Sequence, residues 1–123
     1  MRENLVEKCI REHLKNTGWD VNPRLTKRGI DIEATQGNRY AIIEVKGCGA
    51  HNTAMSNNFY SVLGQILKDM TNIEAEYYVA FPKIEPYIRL WNSFPQLAKD
   101  KTGIKVIFVE ENGSVIGIQT TKL

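Results

Sequence analysis

Apolar residues recur at helical spacing near the start of the chain: Leu5, Val6, Cys9, Ile10, His13 and Leu14. That spacing predicts an amphipathic helix over residues 3–16. Asn16-Thr17-Gly18 supplies its stop. Residues 19–22 read as a short edge strand, ended by Pro23. The pattern then shortens. From Gly29 to Lys46 two apolar strands flank Gly37-Asn38, a pair suited to the positive φ angles of a two-residue hairpin loop. With that pair at the tip, Gln36 faces Arg39 and Asp31 faces Glu44. Residues 47–58 are polar, Gly-rich and without period, and read as a loop. A second helix is expected over 58–70, with Phe59, Val62, Leu63, Ile66, Leu67 and Met70 facing inward. Residues 77–81 form an apolar strand, and 85–99 a helix with Pro86 in its first turn. Pro95 should end or kink that helix. Two last strands, 104–109 and 114–119, flank Glu111-Asn112-Gly113, a hairpin signal.

The resulting order, αβββαβαββ, implies an α/β domain: a mixed sheet flanked by helices. The chain of 123 residues reads as a single domain over 1–123, without repeats or linkers. Apolar content of 42% and charged content of 24% are those of an ordinary globule. A net charge of +2 neither announces a nucleic-acid binder nor excludes one, so local clustering has to decide. Arg24, Lys27 and Arg28 gather just before Asp31, where they read either as phosphate contacts or as a solvated loop. The apolar runs are too short to span a membrane, and the start of the chain does not read as a secretion signal. Two cysteines imply no disulfide framework, and a reduced, cytoplasmic protein is expected. Cys48 and His51 are two ligands, too few for a zinc site.

The candidate chemistry lies on the first hairpin. Directly opposed residues of an antiparallel pair have Cβ atoms roughly 4.5–5.5 Å apart. Asp31 and Glu44 held that close repel each other, and such pairs share a proton or a metal ion. Lys46 stands two positions beyond Glu44 and so points to the same strand face. Glu44 also follows Ala41-Ile42-Ile43, an apolar run in which unpaired charge is costly. Two acids and a lysine on one sheet face suit metal-dependent phosphodiester cleavage. The competing reading is a half-exposed hairpin with Asp31 and Lys46 as a surface ion pair. Glu3 and Glu7 flank the apolar stripe of the first helix. Ser61, Gln65 and Asp69 form a stripe at i, i+4 and i+8 on the second, facing either the lysine strand or solvent. Gly64, costly inside a helix, points to close approach of another backbone.

An aspartate, a spacer and then Glu-x-Lys on a hairpin resembles the PD-(D/E)XK nuclease superfamily. The proline of that signature is missing, since Arg28-Gly29-Ile30 precede Asp31. A helix carrying Glu7, then Gly18-Trp19, is similar to the arrangement of Holliday-junction resolvases and Mrr-like nucleases. Gln65 on the helix after the lysine strand resembles RecB-like and XisH-like members. The strand ending in Pro82 resembles the XisH-like group. The resemblance implies a restriction-endonuclease-like fold and catalytic roles for Asp31, Glu44, Lys46, Glu7 and Gln65. It also implies a metal held by Asp31, Glu44 and the Val45 carbonyl. Such hard oxygen ligands suit Mg²⁺ or Mn²⁺. DNA is the expected substrate and partner, bordered by Arg24, Lys27 and Arg28. A homodimer and a recognition or recombination partner protein are further expectations. The alternative implied by the XisH-like features is a non-cutting DNA-binding or regulatory accessory protein.

Overall fold

The computed structural model describes residues 1–23, 29–49 and 52–119. In chain order the elements are α1 (Glu3–Asn16), β1 (Asp20–Val21), β2 (Ile32–Gln36), β3 (Arg39–Val45), α2 (Asn52–Lys68) and β4 (Glu76–Pro82). They continue with α3 (Glu85–Ser93), α4 (Gln96–Thr102), β5 (Ile104–Val109) and β6 (Val115–Ile116). Among the described residues the strands form one six-stranded sheet, in spatial order β1-β2-β3-β4-β5-β6. β3, β4 and β5 run parallel at its centre, and antiparallel strands flank them on both sides. The expected α/β class and mixed sheet are therefore present.

Two successive crossovers, β3-α2-β4 and β4-α3-α4-β5, step across the sheet in the same direction. Right-handed crossovers in one direction place their helices on one face. The core divides accordingly. α1 buries Val6, Ile10 and Leu14 against Ile32, Ala34, Ala41, Ile43, Val45 and Tyr78 on one side of the sheet. α2 buries Phe59, Val62, Leu63 and Ile66 against Ile42, Val79 and Phe81 on the other, with Tyr87 of α3 beside them. Alternate residues of β3 thus serve opposite cores, and Glu44 falls in the row of Ile42, under α2.

Several boundaries differ from those expected. α2 starts at Asn52, inside the segment read as a loop, because Met55 one turn before Phe59 already packs on the α2-side core. Its end comes at Lys68, and Leu67, expected inside, is 49% exposed. Pro95 does break the third helical segment, dividing it into α3 and α4. β6 is only Val115–Ile116, because Gly117 leaves strand geometry with a φ of 114°; it passes so near β5 that an added Cβ would lie 2.2 Å from the Val106 carbonyl oxygen. Gly64 meets nothing within 4 Å, so no backbone approaches it as its helix cost had implied. In the first hairpin only Gly37 takes a positive φ (58°); Asn38 does not need one.

Candidate active site

The hairpin register is the one read from the alternation: Gln36 pairs with Arg39 and Ile32 with Ile43. One step further along it lie Asp31 and Glu44, at the open end of the hairpin. β2 begins only at Ile32, so Asp31 stands just outside the ladder. Its carboxylate takes the place of a backbone partner: the Val45 N–H donates to Asp31 Oδ2 at 2.8 Å. The N–H and C=O of a strand residue point to the same side. The Val45 carbonyl therefore emerges on the Asp31 side as well.

Glu44 is 5% exposed, and among the described residues it and Glu7 are the two buried charged side chains. The Glu44 carboxyl lies within hydrogen-bonding reach of those of Asp69 and Asp31, and its single proton can serve only one of them at a time. Burial, that hydrogen bonding and the neighbouring negative charges push its carboxyl up to about 10. At neutral pH Glu44 therefore keeps its proton, which it donates to a neighbouring carboxylate. Asp69 lies one residue beyond the end of α2, and its Oδ2 is buried without a hydrogen-bond partner. Among the described residues no three His, Cys, Asp or Glu side chains are placed to hold a metal ion together. Mg²⁺ does not ask for three: it is commonly held by one or two carboxylates, waters and substrate phosphate. A cation beside Asp31, Glu44 and the Val45 carbonyl would meet hard oxygen donors. It would also relieve the repulsion that holds Glu44 neutral.

Lys46 is half-buried, and its N–H extends the central ladder by donating to the Ala80 carbonyl at 2.9 Å. The pleat carries it to the Glu44 side of the sheet. Among the described residues its ammonium forms no ion pair. The strand end is pinned just beyond it. Gly47 passes so close to the start of α1 that an added Cβ would lie 2.3 Å from the Glu3 nitrogen. The buried Tyr87 hydroxyl donates to the Gly47 carbonyl at 2.6 Å.

The outlying candidates fall differently. Glu7 is buried on α1, which packs on the other side of the sheet, and pairs with Arg11 at 2.9 Å. It is not among the groups that act on Glu44. Gln65 is exposed on α2, one turn before Asp69. Of the Ser61, Gln65, Asp69 stripe, Asp69 is the member that reaches Glu44. It was visible only as the third position of that stripe. Arg24, Lys27 and Arg28 lie outside the described residues, as does His51.

No family model and no curated protein matches the sequence. Solved structures do. The chain superposes on an XisH family protein from Nostoc punctiforme PCC 73102 with a TM-score of 0.66 and 19% identity, covering 94% of this chain and 99% of that one. It superposes equally well on an fdxN element excision controlling factor protein from Anabaena variabilis, with a TM-score of 0.67, 19% identity and the same coverage, 94% and 99%. At that identity the likeness is one of fold. It agrees with the XisH-like features of the sequence. Among the described residues no helix is long and apolar enough to cross a membrane.

Proposed function

We propose that the protein is a Mg²⁺- or Mn²⁺-dependent endodeoxyribonuclease of the PD-(D/E)XK type, acting on structured or recombination DNA. The observation that carries this reading is the carboxylate group at the hairpin end. Glu44 is buried between Asp31 and Asp69, its carboxyl pushed up to about 10, with Lys46 next on the same face. A sequence that gained nothing from such a group would place an apolar residue at position 44, as it does at Ile42. Asp31, Glu44 and the Val45 carbonyl hold the cation, which supplies an acidified water and a clamp on a phosphate oxygen. Lys46 orients the attacking water or balances charge growing on the phosphate. Gln65, exposed one turn from Asp69, contacts the substrate. Arg24, Lys27 and Arg28 contact DNA phosphates, and a second copy of the chain supplies the second cut of a duplex.

A second reading has its own support. One of the similar structures is that of an fdxN element excision controlling factor protein, which is compatible with an accessory protein that binds DNA or a recombination partner without cutting. Incubation with duplex, single-stranded and four-way-junction DNA, in Mg²⁺, Mn²⁺ or EDTA, separates the two. Cleavage that requires the cation, disappears in Asp31→Asn and Glu44→Gln, and falls about 10²-fold or more in Lys46→Ala supports the nuclease. Near-wild-type cleavage by Asp31→Asn or Glu44→Gln removes the metal site. Specific DNA or partner binding with no cleavage on any substrate establishes the accessory reading.

A further inference from the structure

The first helix reaches the candidate site through an arginine. Arg11 is largely buried, its side chain 14% exposed, and its planar fork is divided among three acceptors. Nε donates to Glu7 Oε2 at 2.9 Å, one turn back on α1. Nη1 donates to the Asn22 carbonyl, and Nη2 to the Asp31 carbonyl at 2.6 Å. In sequence, Asn22 and Asp31 flank the basic stretch that holds Arg24, Lys27 and Arg28. Asn22 is itself fixed to β2: its N–H donates to the Glu33 carbonyl at 2.9 Å, and its side-chain amide to the Glu33 carboxylate at 2.7 Å. Asp31 lies one residue before the ladder begins, so backbone pairing alone does not set its position.

We propose that Arg11 is a positioning residue for Asp31. Held by Glu7, its guanidinium clamps the backbone of Asp31 to that of Asn22 and so sets the aspartate carboxylate against the Val45 N–H. Glu7 then serves the site from the far side of the sheet, by orienting Arg11. Only a guanidinium fits this task, because a lysine ammonium lacks the rigid fork that reaches separate acceptors at once. Calling Asp31 a site residue rests on the nuclease reading; the clamp itself does not.

The direct reporter is the Val45 amide, whose hydrogen bond to Asp31 Oδ2 exists only while that carboxylate is in place. Hydrogen exchange is followed by NMR in the wild type, Arg11→Met and Arg11→Lys, with the Ala41 amide of the same strand as internal control. In both variants Val45 exchange is expected to accelerate about tenfold or more while Ala41 stays unchanged, the scale of one lost hydrogen bond to a charged group. On a cleaved substrate kcat is expected to fall more than KM changes. Wild-type Val45 exchange in a folded Arg11→Met protein overturns the clamp. Wild-type exchange in Arg11→Lys shows that charge alone suffices and overturns the role of the fork. If Arg11→Met strips Glu7 of its arginine and fails to fold, the double variant Glu7→Gln/Arg11→Met removes both charges and carries the same readout. A wild type that cuts nothing defeats the nuclease reading, and the exchange rates still decide the clamp.

Discussion

Glu44 and Glu76 stand on adjacent central strands, β3 and β4, and are driven in opposite directions. Glu76 receives Arg39 Nε and Nη2 at 2.7 Å each and the Tyr78 hydroxyl at 2.7 Å, with Lys105 at 3.8 Å. Arg39 also lies over the Trp19 ring, 4.7 Å from its centroid, and so ties β1 to the centre of the sheet. The hydrogen bonds from Arg39 overcome burial and hold the Glu76 carboxyl down at about 2. Glu44, among carboxylates, is pushed up to about 10. The same side chain is a structural anchor in one place and a group in need of a cation or a proton in the other. Only its neighbours differ. A half-buried charge given complete partners is held in place and is costly to strip of one of them; one surrounded by its own sign marks a place where something else belongs.

The largest effect should come from neutralising Glu44. Its folded value lies above the unfolded value of 4.5, so it supports the fold fully below about pH 4.5 and loses that support as the pH rises toward about 10. Glu44→Gln removes this dependence. Without divalent cations the variant should be more stable than wild type at pH 7 by up to about 3 kcal/mol, an upper bound from the shift between 4.5 and neutrality. Chemical denaturation from pH 5 to 9 measures the gap, and Mg²⁺ should narrow it by stabilising the wild type alone. A variant less stable than wild type would mean that Glu44 is as well partnered as Glu76.

Glu76→Gln should move stability the other way, by about 1–3 kcal/mol of loss at pH 7, since it strips the charge from hydrogen bonds made by Arg39 and Tyr78. The folded value of Glu76 lies below 4.5, so its contribution is present above about pH 4.5 and lost as the pH falls toward about 2. Denaturation midpoints between pH 5 and 2 should therefore be flatter in Glu76→Gln than in the wild type. An unchanged acid limb would transfer acid sensitivity to another carboxylate. Lys105→Ala should cost less than about 0.5 kcal/mol, because that side chain is 56% exposed at the rim of the same network.

The two regions were unequally legible in the sequence. The hairpin register, and with it the meeting of Asp31 and Glu44, followed from alternation and from a turn that needs a glycine at its tip. Pro95 announced its own break. The start of α2 was hidden because Asn52 to Asn58 carries few apolar side chains in sequence, and Met55 is the one that packs on the α2-side core among the described side chains. Asp69 could be placed on a helical stripe, but whether the stripe faced solvent or β3 depended on packing that no local pattern records. Glu7 drew notice by its spacing, yet its pairing with Arg11 was not visible. An arginine one turn further on a helix looks the same whether it is solvated or clamps two distant carbonyls. The Arg39–Glu76 pair spans a parallel crossover, beyond the reach of any short-range signal.

Calorimetry of Mn²⁺ binding at pH 7, repeated in buffers of different ionisation enthalpy, addresses the carboxylate group directly. A cation that enters beside Glu44 has to displace the proton held there. The wild type should bind Mn²⁺ and release about one proton per site, while Glu44→Gln should bind weakly and release none. Binding without proton release, or equal binding by both proteins, would contradict a metal site at Asp31 and Glu44.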